Sequence, residues 1–315
     1  MKVDVIHNAD CRLGLRRLPA DCVDCCVTSP PYFGLRDYGT DAQIGLEASP
    51  RDYVVHLTEV FSEVLRVLKP TGTLWLVIGD CYSGSPKGAA INPEDAKRYK
   101  QGRNHGTLAV RTHYKQFTGC PARNLIGIPW MVAFALRDIG YYLRQDIIWS
   151  KPNAMPESVK NRCVKSHEYI FLLSKSANYY FDYQAIQRPS KNPIGGGSNL
   201  AGRHRADGEQ KPFPTGNTGL GIATGDMANR RDVWEIPTRP AGGNHHATFP
   251  PALVRVCILA GCPPEGVVLD PFMGSGTTAM VARELHRHYI GYELNAEYIQ
   301  LANRRITSSI QDLFY

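Results

Sequence analysis

Long apolar runs are missing from this 315-residue chain: runs such as Leu74 to Ile78 stop far short of the roughly 20 residues that a bilayer crossing needs. The opening MKVDVIHNADC is charged within its first residues and has no apolar stretch, so neither a membrane anchor nor a secretory signal is expected. Cysteine follows no framework. The nine residues are odd in number and scattered, and Cys22, Cys25 and Cys26 have no second pair at zinc-ribbon spacing. No metal site is expected from them; they read as reduced thiols on strands, in a cytoplasmic setting.

Acidic residues are scarce where basic ones cluster. Between Lys87 and Arg123 eight lysines and arginines face only Glu94 and Asp95, and a second tract runs through Arg188, Lys191, Arg203, Arg205, Lys211, Arg230 and Arg231. Aromatics and histidines such as Tyr99, Tyr114, Phe117 and His204 are interleaved with them. Clustered cations beside stackable rings suit a polyanion that carries bases.

Periodicity supplies the architecture. Apolar residues at Val54, Leu57, Val60, Phe61, Val64, Leu65 and Leu68 predict a helix over Tyr53–Leu68, stopped by Pro70 and Gly72. Short strands are expected at Val3–His7, Val23–Thr28, Thr73–Gly79, Tyr142–Trp149, Glu168–Ser174, Val267–Asp270 and Tyr289–Glu293. Further helices are expected at Pro129–Ile139, Pro251–Ala260, Thr277–Leu285 and Ala296–Ile306, with a helical turn at Arg12–Leu18. The tract from Gln187 to Arg239, rich in Gly, Pro, Asn and Arg, reads as irregular. Alternating strands and helices imply an α/β fold with a mostly parallel sheet and helices on both faces.

Near the end of the chain, Gly266-Val-Val-Leu-Asp-Pro-Phe-Met-Gly-Ser-Gly-Thr-Thr reads as strand, glycine turn and helix start. Gly274 and Gly276 would let backbone approach a ligand, and the helix opening at Thr277 would aim free N–H groups at it. The turn has no lysine in the Walker position, which argues against a triphosphate. The next strand ends in Gly291-Tyr292-Glu293, placing a carboxylate where a ribose diol could be held.

DPFMGSGTT followed by GYELNAEYIQLANRRI, together with TSPPY at Thr28–Tyr32, resembles the β group of amino-directed DNA methyltransferases. The likeness continues through FSEVLRVLKPTGTLWLVIGD, DIIWSKPNAMPESVKNRCVKSHEYIFLLSK and HHATFPPALV, and covers most of the chain outside the basic insertions. It implies a circularly permuted Rossmann-like methyltransferase fold, with catalytic residues 1–186 (basic insertion about 84–123), a variable recognition region 187–240, and cofactor-binding residues 241–315. It implies S-adenosylmethionine as cofactor, bound by Asp10, Asp270, Pro271, Phe272, Gly274, Ser275, Gly276, Thr277 and Glu293. Catalysis falls to Ser29, Pro30, Pro31 and Tyr32. The Trp149–Asn153 segment is expected beside the target-base pocket, and His167-Glu168 is expected to support the fold. Double-stranded DNA is the implied partner, and a cognate restriction endonuclease a candidate second one. The oligomeric state is open between monomer and homodimer.

Why a strand should end in Ser-Pro-Pro-Tyr then has a chemical answer. An exocyclic amine on a base is a weak nucleophile because its lone pair is delocalised into the ring. Accepting hydrogen bonds from its N–H groups frees that pair, so the site needs acceptors without competing donors. Proline offers a carbonyl and no N–H, and Ser29 Oγ can accept as well. Tyr32 would supply a stacking face for a base rotated out of the duplex. In the family, serine at the first position tends to accompany cytosine N4 and aspartate adenine N6. Cytosine N4 is therefore expected, with adenine N6 as the alternative. An RNA or protein methyltransferase and a DNA-binding protein without activity are the rival readings; a nicotinamide dehydrogenase has no supporting motif.

Overall fold

In the computed structural model, residues 1–35, 43–83, 120–190, 227–238 and 249–311 are described. Most of both basic tracts lies outside them.

Local signals start the elements where side chains can close them. Helix α2 (Pro50–Val67) opens on Ser49, whose hydroxyl accepts from the Asp52 N–H, with Pro50 in the first turn where no donor is missed. It starts three residues earlier than its apolar stripe suggests. Strand β2 (Val23–Thr28) is buried along its whole length, and β3 (Leu68–Ile78) almost so. Along β3, Leu74, Leu76 and Ile78 face one core with α2, while Trp75 turns to the other face, against Gly261 and Trp234. A strand buried on both faces cannot alternate polar and apolar residues.

Among the described residues the main sheet has eight strands, in the order β1-β10-β9-β2-β3-β5-β4-β8. Here β1 is Val5–Asn8, β4 Tyr142–Ser150, β5 His167–Ser174, β8 Val233–Glu235, β9 Val267–Asp270 and β10 His288–Glu293. Of these eight, only β5 runs antiparallel to its neighbours. On one face α2 packs against α1 (Cys11–Leu15) and α3 (Ile128–Asp138). On the other, α5 (Thr277–Glu284) packs against α4 (Pro251–Gly261) and α6 (Ala296–Gln311). The first strand of the chain pairs with the last, Asn8 opposite Glu293, which is how a permuted sheet closes.

Three expectations need revision. Strand β3 begins at Leu68 rather than Thr73: it pairs Val23 with Leu68, then Cys25 with Thr73, so the Pro70–Gly72 stretch forms a bulge where proline's missing donor costs nothing. Lys69, just before that bulge, pairs with the buried carboxylate of Asp24 at 2.8 and 2.9 Å. Strand β8 falls inside the tract expected to be irregular, and joins the sheet beside β4. Helix α6 runs five residues beyond Ile306.

The chain divides into two compact units, Met1–Asp182 with Asp232–Tyr315, and Tyr183–Arg231. In the smaller unit, β6 (Arg188–Pro189) and β7 (Met227–Ala228) form a short antiparallel pair, and Gln187 Nε2 donates to Asn229 at 3.2 Å. In the larger unit, the connections after β9 and after β2 depart to opposite sides of the sheet. That leaves a crevice at the carboxyl ends of these two adjacent strands, the usual ligand position in an open α/β sheet.

Candidate functional site

Strands β2 and β9 end side by side, and one hydrogen bond ties their last residues together. The Thr28 hydroxyl donates to Asp270 Oδ1 at 2.6 Å, across 242 positions of sequence. Thr278, in the first turn of α5, donates to Asp270 Oδ2 at 2.6 Å, and the Phe272 N–H donates to Oδ1 at 3.0 Å. Asp270 is 1% exposed. Burial pushes its carboxyl up from 3.8 to about 6, against the pull of those three donors. The Ser-Pro-Pro-Tyr turn and the glycine turn therefore leave adjacent strand ends from a shared buried anchor.

The two glycines of the turn serve different ends. Gly274 has φ +53° and open space where a Cβ would stand, the nearest atom being 3.9 Å away. Gly276 has φ +80°, and a Cβ there would sit 2.5 Å from the Ala302 Cβ and 3.0 Å from its Cα. Gly276 thus admits the close approach of helix α6, while Gly274 leaves open space on the turn. Gly276→Ala is expected to lose about 3 kcal/mol from overpacking plus backbone strain. Gly274→Ala should lose about 1 kcal/mol, from its conformation alone. Denaturant midpoints of the two variants check the difference.

Helix α6 also brings Arg305 to the turn. Its Nη1 donates to the Ser275 carbonyl at 2.7 Å, to Ser275 Oγ at 2.6 Å and to Thr277 Oγ1 at 3.3 Å. Ser275 and Thr277 are consequently buried, with their side chains engaged by the protein itself. Pro271 is buried as well, and the Phe272 ring meets Phe61 edge-on at 6.5 Å, as a partly buried neighbour of the core.

Glu293 ends β10 one strand away. Its Oε2 accepts from the Gly274 N–H and its Oε1 from the Asn295 N–H, both at 2.8 Å. Burial raises its carboxyl, and these amides restrain the rise. Asp10 follows β1, the strand paired with β10, so it lies at the same end of the sheet. It caps α1 through the Arg12 N–H at 2.8 Å and pairs with the Arg12 guanidinium at 2.6 Å. Burial works upward on its carboxyl, but Arg12 outweighs it and holds the group below its ordinary value.

In the turn after β2, Pro30 is buried, while Ser29, Pro31 and Tyr32 are half-buried. The Pro31 carbonyl accepts from the Tyr53 hydroxyl at 2.8 Å, so Pro30 is the proline whose carbonyl is not used in this way. The Tyr32 hydroxyl donates to Glu168 Oε2 at 2.7 Å. Lys151 Nζ donates to the other carboxylate oxygen of Glu168. The Tyr32 ring rests on Gly79 at the end of β3, where a Cβ would come within 2.7 Å of Cε2. Burial first, then the Glu168 charge, pushes the Tyr32 phenol well above its usual range, so it keeps its proton.

The Trp149 ring is buried. It is 3% exposed, its Nε1 donates to the Ile236 carbonyl at 2.8 Å, and the Lys151 ammonium lies over its ring. The same segment meets Glu168, and through it Tyr32, by way of Lys151. Thr28, Gly79, Thr278 and Arg305 are positions that reading the sequence passed over, and Glu168 was expected only to support the fold. Glu168 had one visible signal, a carboxylate heading an otherwise apolar strand. Among the described residues no group of three or more His, Cys, Asp or Glu is arranged to hold a metal ion, and Cys25 and Cys26 are buried thiols whose ionisation burial opposes. No helix among the described residues is long and apolar enough to cross a membrane.

Comparison with known proteins agrees with this geometry. The N6_N4_Mtase family profile, described as DNA methylase, matches residues 23–304. The type II methyltransferase M.SmaI of Serratia marcescens is 44% identical over 94% of this chain and 88% of its own length. Among solved structures, PvuII DNA methyltransferase (cytosine-N4-specific) superposes with a TM-score of 0.62 at 18% identity, covering 98% of this chain and 91% of that one. A DNA modification methylase of Thermus thermophilus, TTHA0409, complexed with S-adenosyl-L-methionine, gives 0.57 at 23% identity over 97% and 93%.

Proposed function

We propose that this chain, which belongs to the N6_N4_Mtase family of DNA methylases, transfers a methyl group from S-adenosylmethionine to N4 of a cytosine within a specific DNA sequence. The observation that carries the reading is the Thr28–Asp270 hydrogen bond, because it seats an acceptor-rich turn beside a glycine turn at neighbouring strand ends.

The residues present fit the cofactor. Gly274 leaves open space on the turn, and each Glu293 oxygen, having accepted one amide, keeps a lone pair for a ribose hydroxyl. Asp10, one strand further, is at the same end of the sheet for the adenine side. S-adenosylmethionine supplies an electrophilic methyl on a sulfonium when bound. Pro30 and Ser29 accept the N–H groups of the incoming amine and restore nucleophilic character to its nitrogen; Tyr32 offers its ring to the flipped base. No covalent bond between enzyme and base is required, so the buried thiols have no part.

Ser29 supports cytosine as the target, being a neutral acceptor where the family's adenine-specific members tend to carry a carboxylate. The basic tracts 84–123 and 187–240 take the DNA backbone and base edges, in a cytoplasmic setting. Nucleosides from DNA methylated by the purified protein decide the target: mass spectrometry should return N4-methylcytosine. N6-methyladenine would overturn the choice of base, and no methylated nucleoside would favour a DNA-binding protein without activity.

A further inference from the structure

We propose that Gly79 and Glu168 are positioning residues that set the tilt of the Tyr32 ring before a base arrives. Gly79 gives the ring its room, and Glu168 tethers its hydroxyl. The proposal rests on the reading of Tyr32 as the stacking face for a flipped base, and adds the two residues that aim that face.

A free tyrosine ring turns about two side-chain bonds, and a base that stacks on it must first halt that motion. Both ends of Tyr32 are held here. At the backbone, the Tyr53 hydroxyl donates to the Pro31 carbonyl at 2.8 Å and the Leu35 N–H to the Tyr32 carbonyl at 3.2 Å. Gly45 passes so close that a Cβ there would stand 3.2 Å from the Tyr32 carbonyl oxygen. At the far end of the ring, the hydroxyl donates to Glu168 Oε2 at 2.7 Å. Two held ends leave rotation about the axis that joins them, and Gly79 opposes that rotation. A Cβ at Gly79 would lie 2.7 Å from Cε2 and 3.2 Å from Cδ2, two atoms of one ring edge, and 3.4 Å from the Glu168 carboxyl carbon. Gly79 is not among the glycines with positive φ, so the position supplies space and not backbone freedom. A ring gripped by its edge and its hydroxyl still has a face to offer, and Tyr32 is half-buried, not closed off. The grip comes from the sheet itself. Ile78 of β3 pairs with Tyr169 of β5, which sets Gly79 and Glu168 side by side at the end of that ladder. Lys151 occupies Glu168 Oε1 and leaves Oε2 for the phenol. Residues carried on paired strands fix a side chain more tightly than a loop could.

Two double-mutant cycles test the assignment by single-turnover methyl transfer. Tyr32→Leu removes the stacking face and should slow the reaction roughly 30-fold. Gly79→Ala pushes the ring aside and should slow it roughly tenfold. In the Tyr32→Leu background Gly79→Ala should add almost nothing, because no ring remains to be displaced. The second cycle reads the tether. Glu168→Ala and Tyr32→Phe each cut the same hydrogen bond, so each should cost roughly tenfold, and the two together no more than either alone. Glu168→Gln keeps a polar partner at the hydroxyl and should stay within about threefold of the parent. Residues that merely supported the fold would slow the reaction by factors that multiply, whatever stands at position 32. Multiplying factors in either cycle overturn the proposal, and so does a parental rate in Gly79→Ala. Tyr32→Leu alone tests the layer beneath. At the parental rate the stacking reading itself fails, whereas a slow Tyr32→Leu beside multiplying factors removes only the positioning role.

Discussion

Asp270→Ala is expected to destabilise the protein by about 3 kcal/mol, because Thr28 Oγ1 and the Phe272 N–H lose their buried acceptor. Thr278 suffers less, since its hydroxyl has the Val27 carbonyl within 3.4 Å as a second partner. For a chain this long the loss corresponds to a fall in Tm of about 4–5 °C. Asp270→Asn should behave differently. The amide can accept from Thr28 and Phe272 on its oxygen and donate to the Thr278 oxygen, so every group keeps a partner. The pH dependence identifies the cause. Folding raises the Asp270 carboxyl from 3.8 to about 6, so the folded state favours its protonated form. Its contribution is fully present below about pH 4 and is lost as the pH rises through 6. The difference amounts to about 3 kcal/mol for a shift of about two units. Glu293, also raised, changes stability in the same direction, whereas Asp10, lowered, opposes it. Urea midpoints of the parent should therefore decline relative to those of Asp270→Asn between pH 4 and 6, and run parallel to them at higher pH. Parallel curves throughout would mean that Asp270 is not the group responsible.

That carboxylate also marks how far the sequence could be read. The apolar stripe from Val54 to Leu68 and the continuous runs of β2, β3 and β9 were legible because burial imposes a period, or its absence, on neighbouring residues. Strand β8 was not. It spans three residues at the sheet edge, and only Trp234 among them is buried, too little for any period to register. Asp270 was visible as the end of a strand before a glycine turn, but its partner Thr28 lies 242 positions away, and no local pattern records a contact at that separation. Gly276 illustrates a different limit. A glycine beside open space and one that admits a helix look the same in one dimension, and only the position of Ala302 distinguishes them. Glu168 was assigned to the fold because nothing in HEYIFLLS names Tyr32 as its partner. The roles given to the basic tracts fall mostly outside the described residues, where their chemistry rests on composition alone.

Ser29→Ala should slow single-turnover methyl transfer by about 10²–10³-fold, the scale on which removing one preorganised hydrogen-bonding group from a transition state acts. The amine nitrogen acquires positive charge as its lone pair bonds the methyl carbon and the carbon–sulfur bond breaks to leave a neutral thioether, so an acceptor that holds its N–H strengthens as the reaction proceeds. An interaction stronger in the transition state than in the bound complex changes the rate and leaves affinity nearly unaltered. The affinities for S-adenosylmethionine and for DNA should therefore match those of the parent, since Ser29 is absent from the contacts that hold the glycine turn: Arg305 takes Ser275 and Thr277, and Glu293 takes Gly274. Stability should change little as well, because Ser29 is half-buried and its removal leaves Tyr32 still donating to Glu168. The Pro30 carbonyl would remain as an acceptor and sustain residual turnover. Rapid-quench measurement with labelled cofactor and a single-site duplex checks the rate, and titration calorimetry the affinities. A weakened affinity with an unchanged rate would move Ser29 from the chemistry to the binding of the base.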